Sequence, residues 1–195
     1  MKRAGIAFCA DVNPRRFDLY LQRDQLPFDT KTPPAHYSLA EAYELRLFLN
    51  LLEAGSVSVE EARNLVVSGT GSLMVHPLNA LYGEPDLWVA AVLIRYPMKA
   101  EGDGAETFGW HTFFVGGHLS EIAAKADEKV STFYPEAQLV RVITANASAA
   151  AKFVRQRAGE LGLPEAEDWS EIQTAAAYRA ALMAEFGGKD GGADE

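Results

Sequence analysis

Apolar positions in the first third of the chain recur three and four residues apart, the spacing of one helix face. Phe17, Tyr20 and Leu21 follow Asn13-Pro14. Asn is a capping side chain, and Pro at the first helical position has a preset φ and no amide hydrogen to leave unpaired, so a helix is expected to open there. It should end near Leu26-Pro27, and a short apolar helix over Ile6–Ala10 should precede it across a break at Asp11-Val12-Asn13. Ser38 with Glu41, and Ser58 with Glu61, have the spacing of reciprocal capping boxes and predict two further helices. The first of these carries Leu45, Phe48, Leu49 and Leu52 and should stop at Gly55. Leu47 and Leu51 extend its apolar surface around the axis, so it should be buried on most sides, against the rest of this chain or a second subunit.

Residues 69–86 break the periodicity with Gly69, Gly71, Pro77, Gly83 and Pro85. Their apolar content predicts a structured linker lying along a surface. The pattern then shortens to β-type runs. Leu87–Tyr96 predicts a buried strand, Trp110–Gly117 its hairpin partner and Gln138–Ala145 a third strand. Leu119–Phe133 has helical spacing, and Asn146 caps a helix that should end at Gly162 and Pro164. Gly116-Gly117 lacks the spacing of a phosphate-binding loop and predicts a tight turn. The order β-β-α-β-α over 87–163 predicts an α+β unit, a small sheet with helices on one face. Residues 164–186 have acidic residues in a first turn and an apolar side containing Trp169, Ile172 and Phe186, which predicts a C-terminal helix. Residues 187–195 predict a disordered tail.

The stretch VNPRRFDLY (residues 12–20), Tyr37 before the Ser38 cap, and LNLLEAGSVSVEEA (49–62) together resemble the winged helix-turn-helix of MerR-type DNA-binding proteins. The resemblance covers roughly the first third, residues 1–68, and implies that Val12, Phe17 and Tyr20 are core residues. It places Arg15 at the start of a recognition helix, Tyr37 at the close of the wing, and Gly55, Val59 and Ala62 between the last two helices. The sequence departs from the family in three places. Asp11 stands where Gly is usual at the turn, Asp18 where a second Arg is usual, and Gly69 with Gly71 interrupts the chain where a long dimerising helix would run.

Charge changes this picture modestly. The 195 residues carry a formal net charge of −9, but residues 1–36 hold six basic and four acidic side chains, net +2, leaving −11 for the remainder. A basic edge on an acidic body suits docking on a phosphate backbone at one end only. Arg15 is the position matched by the resemblance, and Arg16, Arg23 and Lys31 join it as candidate DNA-binding residues on charge and placement. Arginine suits bidentate guanine contacts or phosphate.

Other chemistry finds little support. Cys9 is the single cysteine, which excludes an internal disulfide, and its apolar setting predicts a buried small hydrophobe. His36, His76, His111 and His118 are too scattered for a metal-ligand pattern, although His111 and His118 flank one predicted strand and could outline a pocket. No nucleophile with a base and no paired carboxylates mark a catalytic site, so no enzyme activity, metal or cofactor is expected. No signal sequence and no run of about 18 apolar residues opens a membrane route, and a cytoplasmic location is expected. The expected function is a DNA-binding transcriptional regulator acting on double-stranded DNA as a homodimer. Its C-terminal unit would serve dimerisation or the sensing of a small-molecule effector. The alternative is a protein-interaction or scaffold protein whose helical module has lost DNA contact, as Asp18 and the acidic body would suggest.

Overall fold

Helix ends in this chain are set by short-range chemistry, and the computed structural model, which describes residues 1–28, 36–53, 57–70, 75–98 and 107–163, shows how. The first four helices are α1 (Arg3–Cys9), α2 (Pro14–Gln22), α3 (Leu39–Glu53) and α4 (Val59–Thr70). Asn13 Oδ1 accepts the Arg15 amide at 2.9 Å and caps α2. In α3 the Glu41 amide donates to Ser38 Oγ at 3.1 Å while the Ser38 amide donates to the Glu41 carboxylate at 2.7 Å. Ser58 and Glu61 repeat this box at the start of α4, at 3.1 and 2.9 Å. Each box pairs two amides that the helix itself cannot satisfy.

The C-terminal ends use one motif three times. After α1, Asp11 adopts φ +56°, its amide donates to Phe8 O at 3.1 Å and the Val12 amide to Ala7 O at 2.9 Å. After α2, Asp24 adopts φ +51°, with the Asp24 amide on Leu21 O at 3.3 Å and the Gln25 amide on Tyr20 O at 2.9 Å. This is the Schellman arrangement, with Asp in the left-handed position that Gly most often fills. Asp is one of the few other residues whose short polar side chain makes that conformation accessible. Asp11 therefore supplies the backbone shape for which the resemblance expects Gly. It also follows that α2 ends at Gln22, short of the expected Leu26-Pro27. α1 begins at Arg3, earlier than the expected Ile6.

The stretch read as a linker is more regular than its glycines and prolines imply. α4 runs through Gly69 to Thr70, a correction to the break expected there. One Gly in a final turn costs about 1 kcal/mol against Ala, too little to end a helix held by packing. Pro77 then opens a further helix, α5 (Pro77–Tyr82), at the position where a missing amide is harmless. Along with Val75 and Leu81, the buried members of this segment pack into the main core.

Strands β1 (Leu87–Met98) and β2 (Thr107–His118) form the expected hairpin, and β3 (Gln138–Asn146) pairs with the other side of β1, giving an antiparallel sheet in the order β2-β1-β3. Helix α6 (Leu119–Phe133) joins β2 to β3, and α7 (Ala147–Glu160) follows β3. Asn146 caps α7 by accepting the Ala149 amide at 2.7 Å, and Gly162 at φ +65° ends it with the same Schellman pair, Gly162 on Gly159 O and Leu163 on Ala158 O.

Two expectations about this unit are corrected. Gly116-Gly117 is no turn: both residues lie in β2, opposite Val89 and Trp88. A Cβ on Gly117 would sit 2.3 Å from Lys125 Nζ, so glycine leaves room for that ammonium to reach Gly116 O at 3.2 Å. Helices also cover both sheet faces, not one. Ala126 and Val130 of α6 pack on Val92, Ile94 and Phe113, while Val89, Ala91, Ile143 and Ala145 face the other helices. The cause is visible in β1, whose run LWVAAVLI is apolar at successive positions and so needs cover on both sides.

The larger core runs without interruption from Ile6, Phe17 and Tyr43 through Leu65 to Val89, Ala151 and Ala158. Leu47 and Leu51 are fully buried within this one chain, where α3 packs against α1, α4 and α7. The expected C-terminal helix and tail, together with Gly55, Gly71 and Lys31, lie outside the described residues.

Candidate nucleic-acid interface

Successive residues of a helix turn by about 100°, so Phe17, Tyr20 and Leu21 share one side of α2 while Arg15, Leu19, Gln22 and Arg23 share the opposite side. The inner side is fixed by aromatic packing. Phe17 is fully buried and meets Tyr37 edge-on at 5.9 Å between ring centres, and Tyr20 meets Phe48 of α3 in the same manner at 5.3 Å. Tyr37 is itself held by backbone bonds to Met1: its amide donates to Met1 O at 2.7 Å, and the Met1 amino group donates back to Tyr37 O. Val12, Phe17 and Tyr20 are buried, in line with the core role expected for them. With its inner face so anchored, α2 must present the other face to solvent.

That outer face carries the sequence candidates unevenly. Arg15 and Arg23 are exposed. Arg16 is also exposed, but its Nε donates to Tyr20 Oη at 2.8 Å and its guanidinium lies over the same ring, which ties it to the flank of the helix. Arg15 and Arg16 thus lie on α2 and Arg23 at its C-cap, and the placement of Lys31 lies outside the described residues. Asp18, the departure that would oppose phosphate, forms an ion pair with Arg3 of α1. The carboxylate at the flank of the face is thus paired with a cation of the neighbouring helix. No local signal in the sequence announces this pair, which closes across the α1–α2 turn.

Two further arginines hold the turn from behind. Arg46 of α3 donates to Ala10 O at 3.4 Å and lies 4.9 Å from the centre of the Phe153 ring of α7. Arg157 of α7 donates to Phe8 O at 3.3 Å and stacks 3.7 Å above the Phe8 ring. Both cations therefore sit at the C-terminal end of α1, where helix carbonyls lack partners and the helix dipole favours positive charge. Sequence reading missed both, because the contacts join residues 36 and 149 positions apart.

The remaining candidates separate. His118 ends β2 opposite Leu87, and His111 pairs with Ile94 seven residues earlier, roughly 24 Å away at strand rise, so they do not outline one pocket. His111 instead packs beside Tyr134, 5.3 Å between ring centres, and His118 occupies the cap position of α6. Cys9 is buried, and burial pushes its thiol pKa up. Between α4 and the sheet, beside Glu61 and Arg141, a cavity of about 10 Å³ remains, room for a single water. Among the described residues no helix is long and apolar enough to cross a membrane. Comparisons with protein-family models, curated proteins and solved structures return no match, so the function is argued from the chain's own geometry.

Proposed function

We propose that the chain binds double-stranded DNA through the outer face of α2 and acts as a transcriptional regulator, with α1, the Ala10–Asn13 turn and α2 serving as a helix-turn-helix. The observation that carries this reading is the charge arrangement on α2. Arg15 and Arg23 project from one exposed face, and Asp18, the carboxylate at its flank, is paired with Arg3. Two arginines two turns apart on a rigid helix match the demands of groove docking, in which charge positions the helix and guanidinium groups can reach guanine edges. The winged form of the motif is part of the proposal.

A reader of this type acts as a pair on two half-sites. The strand edge offered by β3 supports pairing of two copies through the sheet: Leu139, Val140 and Val142 are 45%, 48% and 38% exposed along it. The β2 edge is guarded, since Lys125 and Lys129 donate to Gly116 O and Phe114 O. Lysine placed on a sheet edge discourages strand addition. The effector of the regulator is not assigned.

The test is binding of the full chain to genomic fragments at two salt concentrations, with Arg15→Ala and Arg23→Ala. Each lost phosphate contact should flatten the log K against log salt slope by about 0.9 while circular dichroism stays unchanged. Asp18→Asn should tighten binding by removing a carboxylate from the flank of that face and releasing Arg3. Unchanged affinity and slope in all three variants would sink the reading and put the protein-interaction alternative first. A monomer by light scattering at micromolar concentration would remove the pairing.

A further inference from the structure

We infer that Leu19 is a base reader that recognises the C5-methyl group of thymine in the major groove. The inference rests on the DNA-binding reading above and adds a specificity to it. Leu19 lies one turn after Arg15 and one turn before Arg23, in the middle of the outer face of α2, and is 48% exposed. Arg15, Leu19, Gln22 and Arg23 are all exposed. Its neighbours on the same helix, Arg16 and Asp18, are engaged by Tyr20 and Arg3. An apolar side chain flanked by two guanidiniums gains nothing from solvent on such a surface.

The chemistry of the groove selects its partner. Across the major groove, base edges present hydrogen-bond donors and acceptors and one methyl group, that of thymine; the minor groove presents no methyl. A helix that docks with Arg15 and Arg23 toward the duplex carries Leu19 between them to the groove floor. There only a thymine methyl replaces water with apolar contact, and a guanine or cytosine edge would be left facing a side chain that cannot hydrogen-bond. Discrimination should be modest per base, because one buried methyl is worth about fourfold in affinity.

The experiment begins by selecting bound sites from a random duplex pool with the full chain. Each thymine of the enriched site is then replaced by deoxyuridine, which deletes the methyl and preserves base pairing. Wild-type protein should lose about fourfold affinity at one or two positions in each half-site. Leu19→Ala should bind the unmodified site with about the same loss and no longer distinguish thymine from deoxyuridine there, while keeping the wild-type salt slope. Overturning results are a selected site with no methyl-sensitive thymine, or a Leu19→Ala variant that keeps the wild-type sensitivity. Failure to enrich any site refutes the DNA reading itself, whereas enrichment without methyl sensitivity refutes the Leu19 assignment alone. The deoxyuridine arm uses unmutated protein, so folding of the variant does not enter it.

Discussion

Removing the Arg157 side chain should loosen the joint between the sheet unit and the α1–α2 turn. Arg157 is 27% exposed at its side chain, stacks on Phe8 and donates to Phe8 O at 3.3 Å. That carbonyl also accepts the Asp11 amide at 3.1 Å, so losing the guanidinium does not strand it. The lost hydrogen bond is long and charge-assisted, worth about 1 kcal/mol net. The stacking on Phe8, partly shielded from water, is worth about another 1 kcal/mol. The ion pairs add little: Asp11 is 63% exposed at 3.9 Å, and Glu160 is an exposed neighbour on the same helix. Arg157→Ala should therefore cost about 2 kcal/mol. With a urea slope of about 2 kcal/mol/M, the unfolding midpoint should fall by about 1 M. Arg157→Lys keeps the charge and loses the planar fork, so it should recover less than half of that loss. Urea titration followed by far-ultraviolet circular dichroism measures both variants. A midpoint shift below about 0.25 M for Arg157→Ala would refute the clamp and return α7 to a passive packing role.

Tyr43 is fully buried in α3, and its hydroxyl donates to Val75 O at 2.8 Å. Tyr43→Phe should cost about 1–3 kcal/mol by removing that donor from a buried carbonyl, read as a lowered thermal midpoint; a change under 0.5 kcal/mol would count against the contact. Acid should weaken the fold through Glu61 and Asp86. Hydrogen bonds from Ser58, with Arg141 nearby, hold the Glu61 pKa below its ordinary value, and those from Lys152 and Asn146 do the same for Asp86. Because both folded values are depressed, their stabilisation is complete above the ordinary carboxylate range near pH 4. It is lost as pH falls through the lowered values. Urea midpoints measured from pH 6 down to pH 3 should decline, and Asp86→Asn should shallow the decline. Equal slopes for variant and wild type would remove Asp86 from the account.

What the sequence by itself determined here is the local layer. The caps at Asn13, Ser38, Ser58 and Asn146, the stop at Gly162 and the span of α6 depend on residues within one turn of each other, so their spacing is readable directly. The strands were legible because alternating or continuous apolar runs reflect burial along a single element. The α5 helix was hidden because Pro77 marks either a break or a helix start, and only the packing of Val75 and Leu81 decides between them. Gly116-Gly117 was misread as a turn for a related reason: Gly117 keeps its φ of +150° within a strand, and the room it leaves serves Lys125 of the next helix. The candidate interface divides in the same way. Which arginines lie on α2 was legible from helical spacing. That Arg16 is tied to Tyr20 was within reach of the same spacing, but Asp18 neutralised by Arg3, and the α1 end held by Arg46 and Arg157, required the relative placement of separate helices. Such contacts form only once the shared core has brought together elements far apart in the chain, and the local pattern carries no record of which distant charge will arrive.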